Sequence, residues 1–149
     1  MTVSYDAFTS AFLAKITEYD LLDLELEDRQ SLVDGYMLRA ASQFSDICVY
    51  DIAHGDSLAR QYTFDGATEN DVEEIVDIVS DGMVCQWLRQ HLYKQENLAV
   101  TLNTVDFTHY SPAELTYRIT NAYKLANQSF VNRMREYSFR HGDLKECYI

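Results

Sequence analysis

The chain has 149 residues, 47% of them hydrophobic, and a formal net charge of −12 from 24 acids and 12 lysines and arginines. That length fits one domain with its own core, and five glycines with a single proline exclude a disordered or low-complexity chain. The charge argues against a protein that grips nucleic acid, since neutralising phosphates needs a basic footprint, and no apolar stretch approaches the ~20 residues that span a bilayer.

The start, Met1-Thr2-Val3-Ser4-Tyr5-Asp6, lacks the basic and apolar blocks of a signal peptide, so the expected setting is a reducing cytoplasm. Cys48, Cys85 and Cys147 agree, being odd in number and far apart. A first helix is expected from about Ser4 to Thr17, with Tyr5, Phe8, Phe12, Leu13 and Ile16 on one face. An acidic leucine-rich connector, Asp20 to Asp28, leads to a second helix over Glu27 to Phe44. Its apolar side holds Leu32, Val33, Tyr36, Met37, Ala40 and Phe44, and Gly35 within it is expected to permit close packing. Ile47-Cys48-Val49-Tyr50 and Gln61-Tyr62-Thr63-Phe64 have strand-like composition on either side of the turn His54-Gly55-Asp56-Ser57, giving a small hairpin or an extended loop.

Thr68-Glu69-Asn70-Asp71 reads as an N-cap with acids in the first turn, opening a third helix to about Lys94. Val72, Ile75, Val76, Val79, Met83, Trp87, Leu88 and Leu92 form its buried face. Leu98 to Tyr110 is a connector rich in β-branched residues. The fourth helix opens on Ser111-Pro112-Ala113-Glu114, a capping box with proline in the first turn. It runs for about thirty residues, or ~45 Å, with Leu115, Ile119, Ala122, Ala126, Met134 and Tyr137 on one stripe, flanked by Tyr123 and Phe130. A glycine stop at Gly142 leaves the tail His141–Ile149. The fold class is all-α: a helical bundle with two long antiparallel helices, two shorter helices, and extended loop or hairpin arms. One domain spans 1–140, with arms at about 46–67 and 98–110 and a C-terminal tail at 141–149.

No catalytic site is expected. His54-Gly55-Asp56 and His141-Gly142-Asp143 share a triplet, but glycine before aspartate is ordinary turn and C-cap chemistry. An enzyme built on His54 or His141 is the weakest alternative. His91 reads as a packed or capping histidine, and His109 has no companion. There is no His-Glu-x-x-His, Walker loop, Gly-x-Gly-x-x-Gly or Gly-x-Ser-x-Gly. Glu74, Asp77 and Asp81 share a helix face that could hold a hard cation, and a solvated acidic face explains them better. No metal and no cofactor is expected.

Protein contact is the expected chemistry. Residues 1–81 hold eighteen acids against four bases, whereas 82–149 hold six acids against eight bases. Such asymmetry suits oriented docking. Eleven tyrosines and seven phenylalanines, among them Tyr50, Tyr62, Phe64, Phe107, Tyr110 and Tyr148 in connectors or tail, suit interfaces as well as cores. Arg133, Arg135, Arg140 and Lys145 form a late basic cluster suited to an acidic partner or a neighbouring subunit.

Three stretches resemble the head–tail connector, or adaptor, proteins of the tailed-bacteriophage neck. They are Trp87-Leu88 through Leu92-Tyr93; Leu102-Asn103-Thr104-Val105-Asp106-Phe107 running into Ser111-Pro112-Ala113-Glu114-Leu115; and Tyr137-Ser138-Phe139-Arg140-His141-Gly142-Asp143. The likeness covers the last two-thirds of the chain and is one of layout. It implies a non-enzymatic homo-oligomeric ring beneath the portal, located in the virion neck and made in the host cytoplasm. Such a ring surrounds the DNA channel without binding DNA specifically, joins the portal protein to a downstream neck or tail protein, and has no membrane role. The 98–110 connector and the tail are its natural arms, which places contacts at Asp106, Phe107, Tyr110, Arg133, Arg135, Arg140, His141, Leu144 and Tyr148. A tail-completion or stopper protein is the near alternative. A cytoplasmic acidic regulatory bundle that binds a basic partner is the distant one.

Overall fold

Ser4 sets the first turn of structure. Its backbone is extended and its hydroxyl accepts the Asp6 N–H at 3.2 Å, so strand β1 (Thr2–Ser4) ends where helix α1 (Tyr5–Lys15) begins. The computed structural model describes residues 1–16, 25–98 and 112–142. Within them follow α2 (Leu26–Phe44), β2 (Gln61–Thr63), α3 (Glu69–Leu98) and α4 (Pro112–His141). The chain is an all-α helical bundle carrying one small two-stranded sheet.

Of the two readings left for the 46–67 segment, a hairpin or an extended loop, the hairpin does not form. β2 pairs antiparallel with β1, Val3 opposite Tyr62, and Ile47–Tyr50 forms no strand. The backbone explains why. The Ile47 and Cys48 N–H groups both donate to the Phe44 carbonyl at 3.1 Å, winding this segment onto the end of α2. Val3 and Tyr62 both face the core, so pairing β1 with β2 buries apolar side chains from each strand. The 46–67 segment, read as an arm, lies against the bundle with Ile52, Tyr62 and Phe64 fully buried. Tyr62 and Phe64 stack with centroids 5.8 Å apart. At the turn before β2, Arg60 adopts φ +52°, and its guanidinium donates to Asp34 at 2.7 and 3.1 Å and to Asp6 at 2.8 Å.

Helix α3 is the hub. Thr68 caps it as read from the sequence: Thr68 N–H donates to the Asp71 carboxylate at 2.9 Å, and Asp71 N–H returns to the Thr68 hydroxyl at 3.3 Å. Those bonds from Thr68 hold the Asp71 carboxyl below its ordinary pKa. Val72, Ile75, Ile78, Val79, Met83 and Cys85 are all buried, a wider face than the expected stripe, because α1, α2 and α4 all pack on this helix. Tyr36 meeting Gln90 and Ala40 meeting Gly82 make α2 antiparallel to α3. Gly82 meeting Phe130 and Glu74 meeting Arg140 make α4 antiparallel to it as well. α3 and α4 are the two long helices, thirty residues each. Among the described side chains of α4, Phe130 and Tyr137 are the buried ones, and Ala122, expected on the inner stripe, is exposed.

The close-packing glycine is Gly82, not Gly35. A Cβ on Gly82 would stand 2.7 Å from the Ala40 Cβ and 2.8 Å from Phe130, so here α3 touches both neighbours. A Cβ on Gly35 would meet nothing within 4 Å. Gly35→Ala is therefore expected to stabilise the fold by roughly 0.5–1 kcal/mol through helix propensity alone. A urea midpoint equal to or below that of the parent would refute this.

Candidate assembly interface

Helix α4 is the basic element of an acidic chain, with Arg118, Lys124, Arg133, Arg135 and Arg140 against Glu114 and Glu136. Its inner basic residues are engaged within the chain. Arg133 donates to Asp81 at 2.5 Å and also to Asp77. Arg140 donates to Glu74, and the His141 imidazole lies 3.3 Å from the same carboxylate and 4.2 Å from the Tyr137 ring. Of the contact residues read from the sequence, Arg133, Arg140 and His141 thus knit α4 to α3, and Arg135 faces outward. Asp106, Phe107, Tyr110, Leu144 and Tyr148 lie outside the described residues, as do Lys145, His109 and Cys147.

The acidic face of α3 is therefore paired within the chain, with Asp77 still partly open to solvent. Lys15 of α1 donates to Asp77 at 2.7 Å, to Ser80 at 2.7 Å and to Asp81 at 2.6 Å. Lys15 and Arg133 hold the two carboxylates from opposite sides, so one charge network ties α1, α3 and α4. Burial opposes ionisation of Asp77, but hydrogen bonds from Lys15 and Arg133 outweigh it and hold the carboxyl below its ordinary pKa. Its folded pKa lies below the unfolded value of ~3.9, so its stabilisation is present above that value and is lost as pH falls through the folded one. Thermal melts from pH 7 to pH 2 should show an acid limb that Asp77→Asn flattens; an unchanged limb would contradict the assignment.

The other chemical suspects resolve into structure. His54 is exposed, with its ring nitrogen 3.1 Å from both Asp51 carboxylate oxygens, and Asp51 also accepts the Ala53 and His54 N–H groups in a turn. His91 stands edge-on to Trp87 at 4.9 Å. Burial pushes the Cys85 thiol up to about 11 and raises Cys48, so neither is a thiolate at neutral pH. Among the described residues, no group of three or more His, Cys, Asp or Glu side chains is placed to hold a metal ion. Nor is any helix among them long and apolar enough to cross a membrane. Tyr62 and Phe64, candidates for contact, belong to the core, and Tyr50 is half-buried with its hydroxyl donating to Asp71 at 3.1 Å.

What faces outward on α4 is a row that sequence reasoning missed. Tyr117, Leu125 and Phe139 are 66%, 69% and 72% exposed. At 3.6 residues per turn they fall within about 80° of one another and span roughly 33 Å, opposite Phe130 and Tyr137. Exposed Arg118, Lys124 and Arg135 flank them together with exposed Glu114, which Arg118 pairs at 3.3 Å, and Glu136, with Gln128 and Asn132 between. The signal was present as a second apolar periodicity, out of phase with the core stripe. One exposed aromatic is unremarkable, whereas a row of large apolar groups along one helix is a candidate contact surface.

Fold and surface together define an all-α bundle with an outward row of large apolar side chains, set among charges of both signs, on one long helix of an acidic chain. No protein-family model, curated protein or solved structure matches the chain.

Proposed function

We propose that this chain is a structural, non-enzymatic assembly protein: a head–tail connector of a tailed-phage neck, forming a ring of copies between portal and tail. The observation that carries assembly is the outer face of α4, where Tyr117, Leu125 and Phe139 stand exposed among Arg118, Lys124 and Arg135. A second copy offers that face its complement, because residues 1–81 hold eighteen acids against four bases. The neck location is supported by the layout of the last two-thirds of the sequence and by the long α3–α4 pair. A stopper protein meets the same requirements.

The test is peptide mass spectrometry on purified particles of the encoding phage, scaled against portal peptides. A near-equimolar ratio is the expected result. Absence from particles would overturn the reading and leave an acidic regulatory bundle as the working description. Changing Tyr117, Leu125 and Phe139 together to serine should leave a folded monomer that no longer enters particles.

A further inference from the structure

Three aspartates stand directly before a glycine: Asp34-Gly35, Asp65-Gly66 and Asp81-Gly82. Such a pair can close on itself, because glycine carries no side chain to hinder the approach of its backbone nitrogen to the preceding carboxyl. Ring closure needs a glycine N–H that is free to leave and a carboxyl that is not held elsewhere. The fold separates the three pairs on both counts.

Gly35 lies inside α2 and Gly82 inside α3, where each N–H donates to the carbonyl four residues back. Their aspartates are occupied as well. Asp34 is clasped by the Arg60 guanidinium at 2.7 and 3.1 Å, and Asp81 lies between Lys15 at 2.6 Å and Arg133 at 2.5 Å. Asp65 and Gly66 are instead both exposed, in the turn between β2 and α3 that the Ala67 N–H closes onto the Phe64 carbonyl at 3.5 Å. Gly66 takes φ +76°, the left-handed region that favours glycine, and a Cβ there would meet nothing within 4 Å. Among the described residues, neither the Asp65 carboxylate nor the Gly66 N–H has a hydrogen-bond partner.

We infer that Asp65-Gly66 is a site of spontaneous covalent modification, where aspartate converts through a cyclic imide to an isoaspartate linkage. The Gly66 nitrogen attacks the Asp65 side-chain carbonyl carbon in its acid form. A C–N bond forms, and the displaced hydroxyl leaves with the nitrogen's proton as one water. A second water reopens the ring. Addition at the former side-chain carbonyl restores aspartate. Addition at the main-chain carbonyl breaks the original peptide C–N bond and leaves the chain running through the side chain. The product carries one extra backbone carbon between the buried Phe64 and the Thr68 cap of α3, with an α-carboxylate where a peptide carbonyl stood. An isoaspartate carboxyl methyltransferase is the class of enzyme that would act on that new carboxylate. The inference is independent of the neck reading.

Ageing the full chain at neutral pH in heavy-oxygen water, followed by digestion and electron-transfer mass spectrometry, tests it. Each ring opening installs one solvent oxygen, so labelled isoaspartate should accumulate at Asp65 at least ten-fold faster than at Asp34 or Asp81. In urea, which opens the helices and their ion pairs, the three pairs should react at similar rates. Asp65→Glu, whose ring would be one atom larger, should remove the signal at this position. Because Asp65 has no partner, the thermal melt of that variant should match the parent. Absence of labelled isoaspartate at Asp65 in the folded chain would overturn the inference. So would equal labelling of the three pairs before unfolding, or Asp34 and Asp81 remaining slow in urea.

Discussion

Gly82→Val should cost about 3 kcal/mol, at the upper end of overpacking, and lower the melting temperature by roughly 6–12 °C. The first added atom already stands 2.7 Å from the Ala40 Cβ and 2.8 Å from Phe130, where carbon atoms prefer ~3.5–4 Å. Neither neighbour can yield: Ala40 is a methyl fixed to the α2 backbone, and Phe130 is 1% exposed within the core. A branched residue adds two further carbons at the same point. Separation of α2 or α4 from α3 is the remaining way to make room. Elsewhere in a helix a side chain in place of glycine is worth up to ~1 kcal/mol in propensity, so sterics win at Gly82 and propensity wins at Gly35. A differential scanning calorimetry trace within two degrees of the parent would show that the three-helix contact has slack.

Asp81→Asn is the second large effect, with an expected loss of about 2 kcal/mol, in the range of hydrogen bonds to charged groups. Asp81 is 19% exposed and lies between Lys15 at 2.6 Å and Arg133 at 2.5 Å. Losing its charge leaves both cations to share Asp77, which is more open to solvent. The value sits below the cost of breaking a fully buried pair because Arg133 is partly exposed and water screens its share. Lys15→Met should cost less, and the double variant should show a coupling of roughly 1 kcal/mol in urea unfolding. Additive losses would mean that Lys15 and Arg133 act as separate surface pairs.

The long elements were legible because their ends are chemically marked. Pro112 starts α4, and Thr68 with Asp71 starts α3, within a residue of the reading. The tertiary choices were not legible. A strand-like run such as Gln61–Phe64 does not say which strand it joins, and Ile47–Tyr50 is as β-branched and aromatic as the Thr2–Ser4 partner that wins. Gly35 and Gly82 look alike in a helical pattern; only the crossing point of three helices separates them. Charges misled for a similar reason. An acidic stripe at helical spacing reads as a wet face until Lys15, 62 residues earlier, and Arg133, 52 residues later, are brought onto it. Of the candidate contact residues, Arg135 remained outward, while the apolar row beside it went unread because the core stripe drew attention to the opposite face.

The pairing of Lys15, Arg60, Arg133 and Arg140 with carboxylates of their own chain has a colloidal consequence. Cations committed inward cannot neutralise a neighbour, so two copies approaching in dilute buffer meet mainly as like-charged bodies. Screening lengths shrink from ~30 Å at 0.01 M salt to ~8 Å at physiological ionic strength, which removes that distant repulsion. Charge pairing across a docked surface works at shorter range and is screened later, while Tyr117, Leu125 and Phe139 contribute apolar area that salt leaves in place. Under the proposed assembly, ionic strength should therefore act as a threshold: copies should stay dispersed in dilute buffer, associate most readily at intermediate salt, and weaken again once salt reaches the short-range pairs.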